Sequence, residues 1–164
     1  MGEVKRGEVK TLDELIGIRE DLRADGKIIV TTSGCFDVLH AAHVRFFEKA
    51  KNEGDVLAIF LNSDDSVRAN KGPERPIYSQ NDRAYVLAAI RWIDYVTIFD
   101  ELEPLELIRT IQPDVHVKGG SYIPERIERE KELVESFGGR YAIFPLEEGY
   151  SSTKGIEALS LKKA

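Results

Sequence analysis

Two histidines, His40 and His43, stand three residues apart shortly after an apolar run that breaks at Gly34. At about 100° per residue on a helix they lie roughly 60° apart, on one face and near the helix N-terminus. That end carries N–H groups without intrahelical acceptors and a partial positive charge, so it attracts anions. Two imidazoles there add donors aimed at phosphate oxygens, and Gly34 lets the backbone turn sharply and approach the phosphate closely. A histidine pair at this spacing could also bind a metal, with Asp37 and His116 as further ligands. No His-Glu-x-x-His pattern is present, however, and no metal site is expected. Two histidines that only cap a helix are the plainer alternative, but capping does not require a second imidazole. Cys35 could be a nucleophile, yet no base flanks it, and it reads as a small residue offering its backbone N–H.

Other polar residues sit at similar punctuation points. Lys71 lies in a Gly/Pro-rich loop, Lys71-Gly72-Pro73-Glu74-Arg75-Pro76, where a long ammonium suits phosphate capture, although a loop lysine is usually just solvated. Lys118 leaves a strand into Gly119-Gly120, which brings charge and accessible N–H groups together. Arg83, inside an amphipathic helix, reads on its own as a surface charge. Ser151-Ser152-Thr153 reads as an N-cap run before the last helix. Asp37 suits a role in ordering the turn.

The elements that must position these residues alternate. Short apolar, β-branched runs predict strands over 27–32, 55–61, 95–99, 114–118 and 140–144. Amphipathic stretches predict helices over 11–24, 41–52, 79–92, 104–112, 124–137 and 152–161. This order implies an α/β fold: a Rossmann-like parallel sheet of about five strands with helices on both faces. Ligands of such sheets bind beyond the carboxyl ends of the strands. Gly34-Cys35-Phe36, Asn62-Ser63-Asp64, Lys118-Gly119-Gly120 and the turn near Gly149 all fall at such ends.

The 164 residues suit one domain, 1–164, without repeats or a dividing linker. A net charge of −6 argues against a general grip on nucleic acid, so an anionic substrate needs a local basic cluster. No apolar run approaches the roughly 20 residues of a membrane span, and the first residues lack the apolar core of a signal peptide. Cys35 is the single cysteine, which leaves no internal disulfide and no cysteine metal cluster. A cytoplasmic location is the expectation.

The segment Gly34-Cys35-Phe36-Asp37-Val38-Leu39-His40-Ala41-Ala42-His43 resembles the signature of the cytidylyltransferase-like superfamily, Gly-Thr/Cys-Phe-Asp followed by His-x-Gly-His. Ala42 stands where that family usually has Gly, and both histidines remain. Lys71 to Pro76, Arg83 with Leu87-Ala88-Ala89, Gln112 to Tyr122 and Glu148 to Thr153 are similar to the heptose 1-phosphate adenylyltransferase type. The resemblance implies transfer of AMP from ATP to a sugar 1-phosphate with release of pyrophosphate, Mg²⁺ accompanying the nucleotide, and a homodimer. It implies catalytic roles for His40, His43 and Lys71. It also implies nucleotide contacts from Gly34, Cys35, Phe36, Lys118, Gly119, Ser151, Ser152 and Thr153, and substrate contacts from Asp37, Lys71, Arg83 and Ser121. Two features bear on the acceptor: Ser121 replaces the usual Asp, and the charged Ile127-Glu128-Arg129-Glu130 replaces an Ile-Val-Gly-like stretch. The same chemistry would serve glycerol phosphate with CTP, or flavin mononucleotide with ATP; a nucleotide-binding module without turnover is the non-enzymatic alternative.

Overall fold

In the computed structural model, residues 6–119 and 123–145 are described. The strands are β1 (Glu8–Val9), β2 (Ile29–Gly34), β3 (Val56–Asn62), β4 (Tyr95–Phe99), β5 (Val115–Gly119) and β6 (Arg140–Phe144). The helices are α1 (Leu12–Ala24), α2 (Ala41–Lys51), α3 (Asp64–Lys71), α4 (Gln80–Ala88), α5 (Leu105–Ile111) and α6 (Pro124–Ser136). All neighbouring strands run parallel, in the order β1-β4-β3-β2-β5-β6. The α/β class is as expected, but among the described residues the sheet has six strands rather than about five. The addition is β1, two residues that pair with Tyr95 and Val96 at one edge.

Each face of the sheet is covered, as parallel strands require. One face packs Val30, Ile59, Leu61 and Val117 against Phe47 of α2 and Leu87 of α4. The other packs Ile29, Ala58 and Phe60 against Leu15 of α1, Ile108 of α5 and Val134 of α6. Burial of each large side chain stabilises by about 1.5–3 kcal/mol. Helix α1 starts at a capping box in which Thr11 and Glu14 satisfy each other's backbone N–H groups. Buried Arg19 ties α1 to the start of β5, meeting both carboxylate oxygens of Asp114 at 2.9 Å.

Two expectations are corrected and a third is untested. The segment 64–71 is a helix, α3, so Lys71 ends a helix rather than lying in a loop. Helix α4 stops at Ala88, short of Trp92. The expected helix over 152–161 lies outside the described residues.

Chain order places a topological switch between β2 and β5. From β2 the chain builds toward β3 and β4, then returns to lay β5 and β6 on the other side. These two strands share only the pairs Val30–Val115 and Thr31–His116. Both then continue without further pairing to each other, through Ser33 and Gly34 on one side and Lys118 and Gly119 on the other. A split therefore opens at the carboxyl end of the sheet, where α/β folds hold their ligands.

Candidate active site

The turn from β2 into α2 is built around Phe36, which adopts φ 43° in the left-handed region. Such a backbone is costly for a side chain of this size and persists only where its surroundings hold it. The sharp turn thus falls at Phe36 and not, as expected, at Gly34. Gly34 serves differently: a Cβ there would come within 3.0 Å of the Phe36 ring, so its absence lets that ring fold back over the strand end.

His40 is the N-cap of α2, and His43 lies one turn inside the helix. Their rings stack with centroids 3.9 Å apart, and His43 also meets Phe36 edge-on at 5.7 Å. The His40 backbone N–H donates to His43 Nδ1 at 3.3 Å. An accepting Nδ1 leaves the proton of a neutral imidazole on Nε2. Burial, and then the neighbouring His40, lower the His43 pKa to about 4, so the ring is neutral at pH 7. A neutral Nε2–H is a fixed donor beside the free N–H groups of a helix start. That combination suits phosphate oxygens.

Asp37, with 4% of its surface exposed, orders the turn from inside. One carboxylate oxygen accepts from Arg75 Nε at 2.5 Å, and the other accepts from the backbone N–H of Ile77 at 2.7 Å. Arg83 is equally buried. Its guanidinium donates to the carbonyls of Tyr78, Cys35 and Asn62 and to the Asp64 carboxylate. Both were expected to touch substrate. In this geometry their polar atoms are committed to protein partners, and they act by holding the 35–37 turn against the end of β3 and the 75–78 segment.

Lys71, Arg75 and Arg83 all lie close enough to draw the Cys35 thiol toward ionisation, yet burial outweighs them and its pKa is raised. The thiol, 3.8 Å from Asn62 Oδ1, is no nucleophile in this setting. Exposed Lys71, at the end of α3, lies near enough to the same turn to act on the Cys35 thiol. At the split, Lys118 Nζ donates to Ser33 Oγ at 3.1 Å and to Glu130 Oε1 at 2.9 Å. Gly119 allows the Phe46 ring to lie against the strand end, where a Cβ would meet it at 2.5 Å.

The strand ends thus bring together Gly34, Cys35, Phe36, Asp37, His40, His43, Lys71 and Arg83, with Lys118 and Gly119 across the split. Ser121, Ser151, Ser152 and Thr153 lie outside the described residues. Sequence reasoning passed over Arg75, Ser33 and Glu130. Glu130 did leave a signal, since it falls between Ile127 and Val134 on the buried stripe of α6.

A parallel sheet split at its switch point thus carries paired imidazoles and lysines at its rim. The chain belongs to the cytidylyltransferase-like family, whose sequence profile matches residues 31–158. It is 51% identical over 152 residues to the bifunctional protein HldE of Geobacter metallireducens, and 48% identical over 152 residues to that of Syntrophotalea carbinolica. Each match covers 93% of this chain and 31% of the relative, so the chain spans about a third of the length of these relatives. The fold is similar to that of a lipopolysaccharide core biosynthesis protein from Thermoplasma volcanium, with a TM-score of 0.62, 22% identity and coverage of 77% of this chain and all of that one. It is also similar to a pantoate-beta-alanine ligase from Francisella tularensis crystallised with a β,γ-ATP compound and β-alanine. That match has a TM-score of 0.62 at 13% identity and covers 96% of this chain and 78% of the other. No helix among the described residues is long and apolar enough to cross a membrane.

Proposed function

We propose that this domain transfers AMP from ATP to a sugar 1-phosphate of the heptose type and releases pyrophosphate. The observation that carries the reading is the His40–His43 pair at the start of α2, with a neutral His43 presenting Nε2–H beside the helix N-terminus. The identity to HldE proteins supports the heptose-type acceptor.

An oxygen of the acceptor phosphate attacks the α-phosphorus of ATP. A new P–O bond forms as the bond to the β-phosphate oxygen breaks, and pyrophosphate leaves with that electron pair. The nucleophile is already anionic, so no general base is required. Catalysis then rests on in-line positioning and on donors placed where negative charge grows. His40, His43 and the first N–H groups of α2 meet the phosphates. Lys71 faces the acceptor side, and Lys118 meets the triphosphate from across the split. Gly34, Cys35, Phe36 and Gly119 supply backbone at close range, while Ser151, Ser152 and Thr153 hold the outer phosphates and Ser121 reads the acceptor. Asp37 and Arg83 support the turn.

Mg²⁺ belongs with the triphosphate in this proposal, offsetting charge on its oxygens. Among the described residues no group of three His, Cys, Asp or Glu is gathered to hold an ion by itself. The acting form is a homodimer in the cytoplasm.

Pyrophosphate release measured with ATP or CTP, each with heptose 1-phosphate, glycerol 3-phosphate or flavin mononucleotide, tests the reading. Turnover is expected with ATP and the sugar phosphate. Turnover only with CTP and glycerol 3-phosphate would refute the substrates and keep the chemistry. Silence in every pairing, with ATP still bound, would make the domain a non-catalytic nucleotide-binding module.

A further inference from the structure

Beneath the split lies a buried polar cluster around Glu130, of which the proposed reaction uses Lys118 alone. Glu130 projects from α6 with 1% of its surface exposed, and its two carboxylate oxygens are divided between two donors. Lys118 Nζ meets Oε1 at 2.9 Å, and the Tyr141 hydroxyl meets Oε2 at 2.7 Å. His116 Nε2 stands 3.8 Å from Oε2, while its Nδ1 is 2.7 Å from Thr31 Oγ1. Burial keeps the His116 pKa well below its usual value, so this ring brings no charge to Glu130. Burial, and then Glu130, raise the Tyr141 pKa, so its hydroxyl stays a neutral donor. Lys118 is therefore the cation that balances this buried carboxylate. A buried carboxylate without a cation would cost several kcal/mol.

The ammonium has three donors. Among the described residues one is held by Glu130 and one by Ser33, on opposite sides of the split. The lysine side chain is 18% exposed, so it is not sealed from solvent, and it leaves β5 at the carboxyl end of the sheet. A lysine normally carries a freely moving charge on a flexible stem. Here two fixed acceptors leave it a single direction in which to donate.

We propose that Glu130 is a positioning residue, which fixes the Lys118 ammonium across the β2/β5 split so that its remaining N–H meets the triphosphate during transfer. The inference rests on the nucleotidyl-transfer reading. Glu130 touches no substrate and acts only through Lys118. Because Glu130 is itself an anion near an anion site, its value lies in placement rather than attraction. Its loss should therefore lower the rate of the chemical step without weakening ATP binding.

The test compares wild type with Glu130→Gln, Lys118→Ala and the double variant. It measures kcat and the KM for ATP by pyrophosphate release, and Mg-ATP binding by calorimetry. Glu130→Gln is expected to lower kcat roughly tenfold, the scale of one charge-assisted hydrogen bond, with the KM for ATP unchanged or lower. In the Lys118→Ala background the same substitution should lower kcat no further. Wild-type kcat in Glu130→Gln, or an equal loss in both backgrounds, would overturn the proposal. If Glu130→Gln does not fold, Glu130→Asp keeps the charge, shortens its reach and carries the same expectation. If wild type shows no turnover with any acceptor, the transfer reading fails, and ATP binding decides the rest. Double-variant binding as tight as wild type would show that Lys118 meets no phosphate; weaker binding would uphold its contact.

Discussion

The backbone N–H of His40 donates to the Nδ1 of His43, so the first residue of the α2 cap sets the tautomer of the second imidazole. This local bond turns a ring that could face either way into one with its proton on the outer nitrogen. His43→Ala removes that donor and leaves the helix start intact. Turnover should fall by at least about 10², the usual loss for a donor at developing charge, with unchanged circular dichroism. Near wild-type turnover in a folded variant would remove His43 from the chemistry.

The same ring predicts a pH dependence. In the folded chain His43 protonates only at about 4, below the 6.5 of an ordinary imidazole. As pH falls through about 6.5 the unfolded chain gains a proton that the folded chain refuses. The contribution is full above pH 6.5 and is lost as pH falls toward 4. Thermal midpoints should therefore drop more steeply over this range in wild type than in His43→Asn. Parallel curves would contradict a half-buried, neutral His43.

Arg83 is predicted to be essential through structure. Its planar fork bonds three carbonyls and the Asp64 carboxylate, which a single ammonium cannot reproduce. Arg83→Lys should cost at least about 2 kcal/mol in denaturant unfolding and depress turnover along with it. A variant with wild-type stability and lost activity would instead place Arg83 on the substrate.

Cys35→Ser should stay active. The thiol is held protonated by burial, while the Cys35 carbonyl receives Arg83 and is kept by Ser. Mass spectrometry after incubation with ATP should show no nucleotide on the wild-type thiol. A covalent adduct there would replace direct transfer with a two-step route.

Much of this arrangement was legible in the sequence. The inner strands announced themselves as apolar, β-branched runs, and Gly34 to His43 marked the candidate site by residue type and spacing. Strand β1 escaped because two residues carry no period. Helix α3 escaped because Asp64 to Lys71 offers Val67 as its one large apolar residue. Arg83 could not be read correctly from periodicity, since its partners Cys35, Asn62 and Tyr78 come from separate elements joined only in the fold. Glu130 was hidden by its charged neighbours, although its register with Ile127 and Val134 placed it inside. The split between β2 and β5 depends on strand order, which no local pattern encodes.

The bare Cα of Gly119 has a mechanical consequence. Because Phe46 of α2 fills the space where a Cβ would stand, and itself meets Phe144 of β6 edge-on at 6.0 Å, helix and strand end are in direct register. The helix that presents His40 and His43 is thereby packed directly against the ends of β5, which presents Lys118, and β6. The spacing between these two sides of the candidate site is thus set by core packing rather than by a loop.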